Sequence, residues 1–377
     1  MATTADYINK LIEQKNALAD NLAEKGVTAT HNETFETLVP KVLDILGGSG
    51  GNGIYPVGAD SRPTGDVTVP EGVTSLYQYI FYFNSNVTSV KLPESLTTLS
   101  SNAFSGCSNL VNVDVKNNVT AIPSSCFTRS KLSSFTFSSA ITVIGSYAFQ
   151  QCSNLSVLTF NGNNKTVTIS SYAFASSSIS SVNFATDNIR LNINASCAFR
   201  YCNSLTNNCV ETIINHCDRI GEDCFQGCES ITDVTITNAG NSMFRNCTML
   251  TNCTLSSTIT TMPSGLFADC TALISIDLPS TISGETNGAL SREVSSSYYF
   301  LKGCTNLETV TLGENWNMNL NLSVSTKYSI DVLVSILNNL KDLSGETAKT
   351  LILGGTNVAK LSDAQKAIAT NKNWTLA

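Results

Sequence analysis

Phenylalanine returns at Phe81, Phe104, Phe127, Phe149, Phe174, Phe199, Phe225, Phe244, Phe267 and Phe300, at intervals of 19 to 33 residues, and most copies lead into an L-x-x-V-x-L run. In register the runs are Val87-Val90-Leu92, Leu110-Val113-Val115, Leu132-Phe135-Phe137, Leu155-Leu158-Phe160, Ile179-Val182-Phe184, Ile231-Val234-Ile236, Leu250-Cys253-Leu255, Leu273-Ile276-Leu278 and Leu307-Val310-Leu312. The last two apolar positions of each are two apart, as one face of a strand requires. A unit this short cannot bury its own apolar face, so stacked copies predict a mainly β solenoid of about ten coils with its strands in one long parallel sheet. The pairs Val119/Ile122, Ile141/Ile144 and Ile259/Met262 predict a second short strand or turn before each phenylalanine. The coil at Leu205 places Asn208 where an aliphatic belongs, which predicts a local irregularity.

The ends follow other periods. Ile8, Leu11, Ile12, Leu18 and Leu22, then Phe35, Leu38, Val39, Val42, Leu43 and Leu46, recur at helical spacing and predict an α-hairpin within 1–46. Gly26 would stop its first helix and Asn32 with Thr34 would cap its second. Short helices depend on packing, so Ile8, Leu11, Leu18, Leu22, Leu38 and Val42 are the candidate attachment or oligomerisation residues. Residues 47–53 form a Gly-rich linker to the repeat region, 54–312. Residues 313–377 predict an α/β C-terminal cap, with helical period at 329–340, a strand at 350–353 and a helix at 363–370.

Only 14% of residues are charged, and the net charge of −7 argues against nucleic acid, which needs clustered Lys and Arg. No stretch approaches 18 uninterrupted apolar residues, so no membrane insertion is expected. The first twenty residues lack a basic segment followed by an apolar run, which predicts no secretory signal and folding in the cytoplasm. Of thirteen cysteines, Cys107, Cys152, Cys202, Cys228, Cys247 and Cys270 lie three residues after a repeat phenylalanine and Cys304 four after, which predicts small apolar fillers.

Sequences such as Leu99-Ser-Ser-Asn-Ala-Phe-Ser-Gly-Cys-Ser-Asn-Leu110 resemble the BspA-like leucine-rich repeat of bacterial surface antigens over residues 67–312. The resemblance implies a right-handed solenoid used for adhesion or recognition. Residues 4–46 look like the amino-terminal attachment segment of phage tail-fibre and minor structural proteins. That likeness implies residence in the tail of a virion, contacts with other tail proteins, and a homo-oligomer, often a trimer. The expected function is therefore a phage tail-associated receptor-binding protein that recognises a host cell-surface glycan or protein. The alternatives are a structural or decoration protein of a virion, and an adhesin on the bacterial cell surface.

Each strand carries one residue between its inward pair: Lys91, Asp114, Thr136, Thr159, Asn183, Cys209, Thr235, Thr254, Asp277 and Thr311. With strands about 4.8 Å apart, these should form an outward ladder on the order of 45 Å long. Asp114, Thr136, Thr159, Asn183, Thr235, Thr254, Asp277 and Thr311 are the candidate ligand-binding set; threonine is also simply a good strand residue. The aromatic groups Tyr77, Tyr79, Phe81, Tyr82, Phe83 and Tyr298, Tyr299, Phe300 could stack on sugar rings or fill core, and the loop 280–299 is long enough to bind. Catalysis has little support: His31 and His216 are the only histidines, and His216-Cys217-Asp218 is adjacency without geometry. Cys197, Cys202, Cys224 and Cys228 follow the repeat rather than a zinc spacing, and the acids show no calcium loop, so no metal or cofactor is expected.

Overall fold

A computed structural model describes residues 4–24, 30–32, 34, 63–69 and 71–377. It is a parallel β-solenoid of about 13 turns, more than the phenylalanine count, because the coil continues into the C-terminal region. The predicted linker and the second helix, with Leu38 and Val42, lie outside the described residues.

The phenylalanines form a spine. Adjacent rings from Phe81 to Phe267 stack at centroid separations of 5.1 to 6.2 Å, each one coil apart. The backbone repeats with them: Phe81, Phe104, Phe127, Phe149 and Phe174 donate their N–H to Ala103, Cys126, Ala148, Ala173 and Ala198, in each case the residue preceding the next phenylalanine. The residues two before and two after each ring adopt left-handed φ, as at Asn102 and Gly106, Tyr147 and Gln151, Tyr172 and Ser176. Two such turns reverse the chain twice within one short segment, so the ring points inward and its main chain runs along the solenoid edge.

That geometry corrects the tenth copy. Phe267 donates its N–H to Phe300 itself, at 2.9 Å. The left-handed residue Gly303 and the thiol of Cys304 then stand two and three residues after Leu301. Leu301 therefore occupies the spine position, and Cys304 keeps the spacing of the other cysteines.

The cysteines do more than fill. The thiols of Cys107, Cys152, Cys202, Cys228, Cys247, Cys270 and Cys304 donate to the carbonyls of Phe81, Phe127, Phe174, Phe199, Phe225, Phe244 and Phe267, one coil back. Ser177 makes the same bond to Phe149 at 2.6 Å. All thirteen cysteines are free and buried.

The single long sheet is broken. On the strand face, 65–68, 87–91 and 112–114 form one parallel sheet, 134–137, 157–160 and 181–184 a second, and 233–236, 252–255, 275–278 and 309–312 a third. The predicted second strands also form: 121–122, 143–144, 165–169, 189–193 and 217–220 pair on another face, and 261–262 pairs with 284–285.

The irregular coil at Leu205 turns out to be a helix, Asn207–Asn215, capped by Thr206. Cys209, expected on the outward ladder, lies on the helix side that faces the core and is 2% exposed. The helix takes the place of a strand and closes the edge of the next one. Asn207 Oδ1 accepts from Thr232 N–H at 2.9 Å and Glu211 Oε1 from Thr235 N–H at 2.8 Å.

Helices likewise replace strands at the C-terminal end. Ile330–Asn338, capped by Ser329, packs on 309–312, and Asp363–Thr370 carries a capping box from Ser362 and Gln365. The strands 320–321, 349–352 and 374–376 continue the coil in parallel. Buried Asn357 ties the turns together through Ser325 and Leu353 carbonyls.

At the other end, the helix Thr4–Glu24 contains Ile8, Leu11, Leu18 and Leu22. Leu22 is buried, Leu18 half-buried and Ile12 exposed. The chain then returns alongside it: His31 Nε2 lies 2.7 Å from Asp20 and the His31 carbonyl accepts from Lys15.

Candidate functional site: a cleft in the strand face

The outward ladder survives in three runs. Thr68, Lys91 and Asp114 stand in register, then Thr136, Thr159 and Asn183, then Thr235, Thr254, Asp277 and Thr311. Asp114, Thr136, Asn183, Thr235, Thr254 and Thr311 are exposed, whereas Thr159 and Asp277 are half-buried. Thr254 Oγ1 donates to Asp277 at 3.2 Å, so part of the third run is already satisfied internally.

The gap between the first two runs has a cause in side-chain bulk. In the next coil the aliphatic pair Val113-Val115 becomes Phe135-Phe137. Phe135 turns into the spine, 5.4 Å from Phe127 and 4.8 Å from Phe149, and Phe137 stacks on Phe160 at 4.6 Å. The strand 134–137 follows its rings and pairs forward with 157–160, not back with 112–114. Val113 and Val115 are left half-buried at the edge. On the opposite side the same coils stay in contact, with Phe104 and Phe127 only 5.2 Å apart.

The strand face therefore opens into a cleft of about 590 Å³ between Asp114 and Thr136, within the about 300–1,000 Å³ of ligand pockets. Polar groups dominate its walls: Glu94, Asn112, Asp114, Lys116, Asn117, Ser134, Thr136, Ser138 and Asn161, against Val113, Val115 and Phe135. Lys116 is hydrogen-bonded to Asp114 and lies 3.4 Å from Glu94, and this bond to Asp114 raises its ammonium pKa. Ser138 is 8% exposed, yet its hydroxyl has no hydrogen-bond partner. A buried unpaired hydroxyl is costly in a folded chain, and this one is covered by protein, out of reach of a molecule in the cleft.

The other candidates disperse. Tyr79, Tyr82 and Phe83 pack edge to face, while Phe81 belongs to the spine. In the loop 280–299, Tyr298 is exposed beneath Arg292, whereas Tyr299 is buried with its hydroxyl on Asn321. His216 stacks on Phe184 at 3.8 Å, Asp218 pairs with Arg190 at 2.8 Å, and burial drives the Cys217 thiol well upward, so the three form no catalytic relay. Among the described residues no cluster of His, Cys, Asp and Glu could hold a metal ion, and no helix is long and apolar enough to cross a membrane. The cleft was missed from sequence because its signal, Phe-x-Phe following Val-x-Val, looks like ordinary core variation.

Solved structures with a similar fold include a leucine-rich repeat protein from Bacteroides ovatus, at 15% identity over 83% of this chain and 92% of that one, TM-score 0.43. The pneumococcal vaccine antigen PcpA aligns at 13% identity over 84% and 89%, TM-score 0.42. A leucine-rich cell surface protein from Faecalibacterium prausnitzii aligns at 20% identity over 66% and 72%, TM-score 0.35. No curated protein matches the chain. The profile of the BspA type leucine rich repeat region matches residues 74–206 and 192–317, in six copies. With the spine, the cysteine ladder and the strands from 87–91 to 309–312 falling inside that match, the chain belongs to the BspA-type leucine-rich repeat family.

Proposed function

We propose that this chain is a recognition protein that binds a cell-surface glycan or protein through its strand face, centred on the cleft between Asp114 and Thr136. The carrying observation is that this break in the strand ladder stands open, whereas the break at the Asn207–Asn215 helix is filled by that helix. Residues 4–46 support a finer reading, attachment to a phage tail with the solenoid as the receptor-binding part. Binding of the labelled full-length chain to intact bacteria tests the proposal. Retention by cells, reduced at least tenfold in Asp114→Ala/Thr136→Ala with an unchanged circular dichroism spectrum, is the expected result. Equal retention of the variant would refute the strand-face assignment. Co-purification with tail particles tests the finer reading, and recovery only in a cell-envelope fraction would replace it by the surface-adhesin alternative.

A further inference from the structure

Resting on that strand-face reading, we infer that the cleft takes a neutral oligosaccharide. Its walls select against charge. The one cation, Lys116, is already held by Asp114 and Glu94, so an anionic ligand meets two carboxylates and no free ammonium. A cationic ligand would have to displace Lys116 from those same carboxylates. Asn112, Asn117 and Asn161 each present an amide donor beside an amide acceptor, and Ser134 and Thr136 present hydroxyls. That mixture matches the vicinal hydroxyls of a sugar, each of which both donates and accepts. Val113, Val115 and Phe135 supply the apolar contact that the C–H face of a pyranose needs.

Ser138 belongs to the wall but its hydroxyl is covered: the residue is 8% exposed and the oxygen has no exposed surface. Its own carbonyl is taken by Lys165 Nζ at 2.8 Å, which fixes the backbone behind the hydroxyl. An extended peptide adding to the free edges of 112–114 and 134–137 is the competing occupant. It fits less well, because alternate side chains of an added strand would face amides and carboxylates.

The test uses the full-length chain on immobilised neutral di- and trisaccharides of hexoses and N-acetylhexosamines, with sialylated and sulfated counterparts and a random-peptide panel alongside. The expected result is retention by one or more neutral sugars, weakened at least tenfold in Asn112→Ala and Asp114→Asn and unchanged in Thr370→Ala, on the C-terminal helix away from the cleft. Asn112 is exposed, so Asn112→Ala should leave the unfolding midpoint unchanged, and weaker binding there cannot be blamed on misfolding. Retention only on acidic sugars or on peptides would overturn the inference. So would failure on every neutral sugar while Asp114-dependent cell binding persists, an outcome that leaves the strand-face function standing. Failure of both assays would overturn the function as well.

Discussion

The buried thiols make alkaline pH a sharp probe of this fold. Burial raises Cys107, Cys202, Cys209, Cys247 and Cys304 from 9.0 to about 12, and Cys152 to about 11. Below pH 9.0 both folded and unfolded chains hold these protons and the shift is silent. Between 9.0 and about 11 the unfolded chain releases them while the folded chain cannot, so stability falls as pH rises. Cys126, Cys217, Cys224, Cys228, Cys253 and Cys270 are raised too, and at about pH 10 each raised thiol destabilises the fold by about 1 kcal/mol, so together they cost on the order of 10 kcal/mol. That is comparable with the about 5–15 kcal/mol that holds a typical protein together. Urea unfolding in reducing buffer at about pH 8 and about pH 10 should therefore show a large loss of midpoint. In Cys107→Ser/Cys202→Ser/Cys247→Ser the donors remain, as Ser177 shows natively, but three of the twelve raised thiols are gone, so about a quarter of the thiol-linked loss should disappear. A midpoint independent of pH, or a loss unchanged in the triple variant, would refute the burial of the cysteine ladder.

Phe149→Ala removes a fully buried ring from the middle of the spine and should cost about 3–5 kcal/mol in chemical denaturation, whereas Phe149→Leu, the residue the chain itself uses at 301, should cost clearly less. Cys228→Val deletes the thiol donor to the Phe199 carbonyl and should cost about 1 kcal/mol more than Cys228→Ser, measured the same way. Gly227 sits at φ 70° with its missing Cβ 2.2 Å from the Tyr201 ring. Gly227→Ala should cost at least about 1–2 kcal/mol for the left-handed backbone, plus the clash. Adding Tyr201→Ala should return the clash part, so a double-mutant cycle that is additive would contradict this packing.

What was legible in the sequence was whatever recurs. Phe81 through Phe267, the inward pairs of each strand and the cysteines three residues on are set by contacts with identical neighbours, so spacing alone locates them. The exceptions depend on a single coil. Phe300 precedes Leu301 in a coil lengthened by the 280–299 loop, and only the hydrogen bond from Phe267 to the Phe300 carbonyl shows which of the two lies in register. Asn208 signalled that a strand would fail, but the helix in its place follows from Thr206 as cap and Val210, Ile213 and Ile214 on the buried side, a period hidden inside a β pattern. The thiol donors were invisible because spacing shows burial and not direction.

The candidate site illustrates the same division between repetition and exception. Asp114 and Thr136 were read as two rungs of a continuous ladder, each no more distinctive than Thr254 or Thr311. They differ because Phe135 and Phe137 commit the strand between them to its following neighbour, and this leaves two strand edges facing each other. An uncovered edge is a standing hazard in a β protein, since its free N–H and C=O groups recruit other chains. This molecule covers the comparable edge at Thr232 and Thr235 with Asn207 and Glu211. At the Asp114 edge it instead arranges amides, hydroxyls and a neutralised lysine around open space. Polar walls of that kind discourage an added strand while still offering hydrogen bonds, which is the combination expected of a pocket that admits a small polar ligand and turns away another β-sheet.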